Sequence, residues 1–414
     1  MHPKAFALLS CAIVSAACKP SPQPQLAPPP SAATRFGEDL AFLRKHTQVV
    51  LLGDESEPAQ LIVAPEYQGR VMTSTARGAA GQSFGFIHRE FIAQHVRVPH
   101  MNVFGGEDRF WLGPEGGPYA LYFAKGAPFD LAHWQVPEAL DWGGWPVSAQ
   151  TRNEVRFEKD IALANSAGSQ FSLHVERSVR LLARSALEQA LGVQLGTAVA
   201  AVGYESDNRI VNSGATVWSK QTGLLSIWIL GMYSPTPQTT IVLPFRTGDA
   251  ASLGPIVQDA YFGKIAADRL KVADGVIYFR GDGTARGKIG IPRARAKALV
   301  GAYDAQGQVL TLVQYTLPED AVDYVNSIWD QPPGTAYAGD VVNSYNDGPP
   351  APGERALGPF YELETSSKAA ALAPGEALRH VHRTLHLTGE RAELSAIAQR
   401  TLGVSLEQIE SAFR

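Results

Sequence analysis

The sequence predicts a mainly β protein: one large antiparallel β domain, opened by a short helix and closed by a small helical tail. Three observations carry this. Short apolar or alternating runs, split by Gly, Pro, Asn and Asp, recur from Val49 to about Leu387. No matching series of helical patterns alternates with them, which argues against a doubly wound α/β fold. Glycine (39) and proline (28) are plentiful, which favours turns over long helices.

Taken in order, residues 1–18 read as an export signal. His2 and Lys4 give a basic start, Ala5–Ala17 an apolar run, and small residues precede Cys18. At about 13 residues, the run is shorter than the roughly 20 that a membrane-spanning helix needs. Ser15-Ala16-Ala17-Cys18 resembles a bacterial lipobox, so acylation of Cys18 would tether the mature chain to a lipid bilayer. Lys19 rather than aspartate follows, which favours the outer membrane, with the protein facing the periplasm. Residues 19–35 are proline-rich and suit an extended spacer. Both cysteines, Cys11 and Cys18, lie in the signal, so the mature chain has no disulfide, Cys nucleophile or Cys-based zinc site.

Residues 36–388 form the β domain. Phe36–His46 has apolar residues at helical spacing. Strands are expected at Val49–Leu52, Gln60–Ala64, Gly69–Ser74, Gln170–Leu182, Ala198–Val202, Leu224–Leu230, Thr239–Pro244, Val276–Arg280 and Val309–Tyr315. Ser178–Leu191 is compatible with strand or helix. Residues 389–414 form the tail, two short helices at Glu390–Leu402 and Ser405–Phe413 broken at Gly403, with Ser405 and Gln408 spaced as a capping box. With 45% hydrophobic and 18% charged residues the chain can bury a large core, and a net charge of −4 argues against nucleic acid as partner.

Candidate chemistry gathers in a few segments. Gly105–Gly117 (GGEDRFWLGPEGG) sets Glu107, Arg109, Trp111 and Glu115 between glycines. A guanidinium beside an aromatic pair, with acids nearby, suits a hydroxyl-rich ligand, and equally suits an ion pair holding two loops. Asn343, Asn346 and Asp347 crowd into DVVNSYNDGPP, which reads as a turn, as a sugar contact or as a Ca²⁺ site; no other metal or cofactor is expected. Glu362 and Glu364 share a strand face, and paired carboxyls in a cleft are a usual preparation for acid–base work. His380, His382 and His386 also share a face. They are expected to form a polar outer surface; a strand spreads the first and last too far apart for one ion, which leaves a His380/His382 pair as the metal-binding alternative.

Two motifs resemble the galactose mutarotase-like (aldose 1-epimerase-like) superfamily, in a branch of bacterial lipoproteins. GGEDRFWLGPEGG is similar to its Gly-Gly-x-x-x-(Leu/Phe)-Trp-x-x-Pro-Glu segment. Glu364-Thr365-Ser366 followed by Leu372-Ala373-Pro374-Gly375-Glu376 resembles its closing strands. The resemblance implies a β-supersandwich of large antiparallel sheets over residues 36–388, with Glu364 as the general base acting on a sugar. The family's central-strand histidine has no counterpart between Asn212 and Met232, which offers Trp218, Lys220 and Trp228. Phe104 stands where the family has a histidine before Gly-Gly, and the nearest histidine is His100. The expectation is therefore an envelope-anchored carbohydrate-active lipoprotein, with Glu364 as base, Glu362 or His100 as acid, and Glu107, Arg109, Trp111, Glu115, Asn343, Asn346 and Asp347 holding substrate. The alternatives are a non-catalytic glycan-binding lipoprotein and a structural one with the same fold.

Overall fold

The computed structural model describes residues 34–273 and 275–414; the export signal, Cys18 and the linker up to residue 33 lie outside them. Among the described residues, eighteen strands, numbered along the chain, form three sheets. A three-stranded sheet holds β1 (Val50–Leu52), β2 (Gln60–Ala64) and β3 (Arg70–Thr75). A five-stranded sheet has the order β13 (Gly287–Pro292), β16 (Asp340–Asn346), β17 (Tyr361–Ser366), β9 (Ser226–Tyr233) and β4 (Arg109–Gly113). The ten-stranded sheet begins with β11 (Leu270–Ala273), β12 (Val276–Arg280), β10 (Thr239–Pro244), β14 (Leu299–Asp304) and β15 (Val309–Tyr315). It continues through β18 (Ala377–Thr388), β8 (Ala200–Asn212), β7 (Gln170–Leu181), β6 (Glu154–Ala164) and β5 (Val147–Gln150). Every pairing within the sheets is antiparallel.

The two larger sheets pack face to face. Ile241, Leu243, Phe279 and Val313 of one meet Ile289, Ile291, Val342 and Leu363 of the other. Removing such apolar area from water is the main favourable term in folding. Part of the other face of the ten-stranded sheet, over β10, β15 and β18, is covered by the tail, while outward positions of β6 and β7 are exposed. Leu394 and Ile397 of helix Arg391–Thr401, with Leu406 and Ile409 of helix Leu406–Ser411, pack on Val242, Leu312, Leu385 and Leu387. The Ser405–Gln408 capping box forms as the spacing predicts.

Helix Phe36–His46 and strands β2, β10, β12 and β15 have the expected bounds. The ambiguous Ser178–Leu191 segment splits into the end of β7 and a helix at Arg184–Leu191. β8 runs much further than Ala198–Val202. Its charged residues hide the strand from an apolar count, and they pair across strands instead: Asp207 with Arg379, and Glu205 with Arg383 and Arg180.

The histidines of β18 correct an expectation. His380, His382 and His386 face inward between the sheets and are buried. Thr365 Oγ1 lies 2.9 Å from both His380 Nε2 and His382 Nδ1, while His386 lies 2.9 Å from Thr311 Oγ1 and 3.1 Å from Glu107 Oε2. Each ring thus finds at least one polar partner, while His380 Nδ1 is buried without one among the described residues. Burial pushes His380 down to about 3 and His382 down to about 4, so both are neutral in the folded chain.

Candidate functional site

β4, β9, β16 and β17 are buried along nearly their whole length, so the five-stranded sheet is covered on its outer face as well. Partners across antiparallel strands share a face, and that outer face carries polar and aromatic side chains in rows. One row reads Lys288, Tyr345, Glu362, Met232, and the next Gly290, Asn343, Glu364, Leu230, Arg109. A third sets Ser366 beside Trp228 and Trp111.

Two buried contacts between a basic and an acidic side chain organise this face. Lys288 Nζ donates to Glu364 Oε2 at 3.0 Å, and Trp228 Nε1 donates to the same oxygen at 2.9 Å. Arg109 Nη2 donates to Glu362 Oε1 at 3.2 Å, and the guanidinium lies 3.9 Å from the Trp111 ring centroid. Glu364 Oε1 and Arg109 Nε are buried with no hydrogen-bond partner among the described residues. Glu115 closes one side and accepts from Trp329 Nε1 at 3.1 Å. Trp111, Tyr122, Trp134 and Trp329 form an aromatic wall, with successive ring centroids 5.4, 6.0 and 6.4 Å apart. On the other side Tyr261 donates to Asp340 at 2.6 Å and receives a hydrogen bond from Asn343 Nδ2.

Electrostatics separate the two strand-mates. Burial, with the Glu364 charge adding to it against the pull of Arg109, pushes Glu362 up to about 8. Its carboxyl is therefore protonated at neutral pH. Burial also raises Glu115, and pushes Asp340 and Asp347 up to about 6. Burial pulls Lys288 down, but Glu364 and Glu115 outweigh it, and the lysine is held above its ordinary value. The face holds a protonated carboxyl and a carboxylate paired with lysine, two residues apart on one strand.

The structure gathers Arg109, Trp111, Glu115, Asn343, Glu362 and Glu364 on this face, and places the remaining sequence candidates differently. Period two would put Glu107 beside Arg109. However, Gly105 and Gly106 adopt φ of +89° and +109°, and Met232 N–H donates to Gly106 O, so one extra residue is accommodated before β4 begins. Glu107 consequently faces the core between the sheets, where it accepts from Ser74 N–H at 2.6 Å. Asn346 pins a neighbouring turn, accepting from Gly283 N–H and donating to Ala285 O. Asp347 accepts from the Tyr345 hydroxyl at the edge of the face. His100 is exposed, with Nδ1 against Trp134 O; its neighbour Met101 is the residue that contacts Arg109. The indole N–H of Trp111 donates to Leu140 O, and the ring supports Arg109 from beneath.

The sequence reading missed Lys288, Tyr261 and Asp340. Lys288 carried a signal, as a lone lysine in the otherwise apolar strand GKIGIP. Two open cavities lie elsewhere, one of about 620 Å³ by Arg77, Phe84 and Arg391, the other of about 320 Å³ by His46, Tyr67 and Trp142. The charged side chains of the candidate face are buried and contact one another across it. Among the described residues no group of three His, Cys, Asp or Glu could hold a metal ion.

A family model described as "Family of unknown function (DUF6786)" matches residues 34–413. The chain belongs to this family. Among solved structures, this DUF6786 member is similar to the Slr1438 protein from Synechocystis sp. PCC 6803, at 14% identity over 83% of this chain and 96% of that one, with a TM-score of 0.50. It is similar to a galactose mutarotase-like protein from Lactobacillus casei ATCC 334, at 10% identity over 82% and 100%, with a TM-score of 0.46. A galactose mutarotase related enzyme from Lactobacillus acidophilus gives 8% identity over 82% and 97%, with a TM-score of 0.44. The likeness of the DUF6786 chain to the Slr1438 protein is one of fold. No curated protein sequence is significantly similar to it.

Proposed function

We propose that this chain acts on sugars by acid–base chemistry, with Glu364 as base and Glu362 as acid. The observation that carries it is the contrast between these two carboxyls on one strand face, one paired with Lys288 and Trp228, the other kept protonated to about pH 8. Arg109, braced on Trp111, positions Glu362, and the aromatic wall offers ring faces to a sugar. Glu362 takes the acid role because His100 is exposed and makes no contact with either glutamate.

The test is to follow interconversion of freshly dissolved α-D-glucose, α-D-galactose and oligosaccharides by NMR. Acceleration over the spontaneous rate is expected, lowered about 100-fold or more in Glu364→Gln. The acid form of Glu362 is lost as pH rises through about 8, so activity should fall above that pH and Glu362→Gln should abolish this limb. No acceleration for any sugar class overturns catalysis. The complete burial of Glu364 favours a second reading, non-catalytic sugar binding, which that outcome together with ligand-quenched tryptophan fluorescence would support. We further propose that an acylated Cys18 anchors the protein in the outer membrane facing the periplasm, with residues 19–35 as spacer. Loss of lipid labelling in Cys18→Ser tests this. The proposed chemistry invokes no cofactor; a calcium ion at Asn343–Asp347 would show as chelator-sensitive binding.

A further inference from the structure

Arg109, Lys288 and Arg286 lie on or beside the outer face of the five-stranded sheet. Arg109 donates to the Glu362 carboxyl, and Lys288 is paired with the Glu364 carboxylate. Arg286 makes no such contact: its charge acts on Asp347, but among the described residues no carboxylate lies within ion-pair distance of it. It stands one residue before β13 and two before Lys288, so period two directs both side chains to the same face. One further step of the β13–β16 register sets Arg286 opposite Asp347. The oxygens of Asp347 are already engaged, Oδ1 by the Tyr345 hydroxyl at 2.7 Å and Oδ2 by Gly358 N–H at 2.8 Å. The Arg286 guanidinium is half-buried, sits 3.9 Å from the Phe262 ring centroid, and makes no ion pair or hydrogen bond among the described residues. Phe262 is edge-on to Tyr345 at 6.1 Å and to Trp329 at 6.2 Å, which places Arg286 at the rim of the site.

Stacking on Phe262 holds the guanidinium plane but leaves its donor edge open. We propose that the ligand of this site is an acidic sugar whose carboxylate is received by Arg286 while its hydroxyls face Glu362 and Glu364; this rests on the sugar reading above. A planar carboxylate matches the guanidinium fork with two parallel hydrogen bonds. A dianionic phosphate suits the rim less, since Asp347 and Glu364 share the face and repel a second negative charge.

Calorimetric titration of the full chain decides it, with D-glucuronate and D-galacturonate against D-glucose, D-galactose and D-glucose 6-phosphate. The expected result is that a uronate binds about tenfold or more tighter than its neutral counterpart, the worth of one charge-assisted contact. Arg286→Ala should bring that ratio to about 1, and Arg286→Lys should keep part of it. Because the ratio is taken within one variant, a partial folding defect does not affect it. Neutral sugars binding as well as uronates would overturn this inference and leave the sugar reading standing. Tighter binding of the phosphate would overturn the carboxylate. No binding of any sugar would overturn both readings.

Discussion

Replacing Lys288 by methionine tests the electrostatic frame of the site. Lys288 is 5% exposed and Glu364 0%, and their charged atoms are 3.0 Å apart. At an effective dielectric constant of about 20, their attraction is on the order of 5 kcal/mol. The ammonium also lies 4.7 Å from the Trp228 ring centroid and 5.5 Å from that of Tyr261. Methionine keeps most of the volume but strands a buried carboxylate, whose one remaining donor is Trp228. Breaking a buried pair in this way costs about 3–5 kcal/mol. Glu364→Gln alone strands the lysine and should cost a similar amount. The double variant strands neither charge and should be less destabilised than the sum of the singles by about 2 kcal/mol or more. Urea unfolding at pH 7, followed by tryptophan fluorescence, measures all three. Single substitutions within about 1 kcal/mol of wild type, or strictly additive costs, would refute the argument that this pair is buried and coupled.

Two further outcomes follow from the core and the turn behind the site. His380 and His382 are neutral when folded and ordinary when unfolded, so the unfolded chain binds more protons below about pH 6.5. Their contribution is fully present above that pH and is lost as pH falls towards 4, amounting to about 2 kcal/mol from each by pH 5. A flat unfolding free energy between pH 7 and 5 would contradict their burial as neutral rings. Gly106→Ala forces a side chain onto φ +109° and puts its Cβ 2.7 Å from Arg70 Cδ and 2.8 Å from Val71 O. The expected loss is about 2–5 kcal/mol, against about 1 kcal/mol for Gly143→Ala, where the φ of +86° is similar and nothing lies within 4 Å. Equal melting temperatures for the two variants would show that the close approach at Gly106 is unimportant.

What the sequence determined alone was local. Helical spacing placed Phe36–His46, alternation and turn residues placed β2, β10, β12 and β15, and a four-residue pattern placed the Ser405 cap. Period two also put Glu362 and Glu364 on one face, since a strand's alternation needs no partner. Tertiary structure decided which face meets which surroundings. Three histidines that share a face do so whether it points out or in, and only the packing of β18 against Thr365 of the facing sheet turned it inward. Glu107 left the site because a bulge forms where Met232 meets Gly106, a contact between residues far apart in sequence. Arg109 reaches Glu362 across 253 positions, and Lys288 reaches Glu364 across 76. Such pairs follow from strand order, and strand order is set by the burial of whole sheets rather than by any residue's neighbours in the chain.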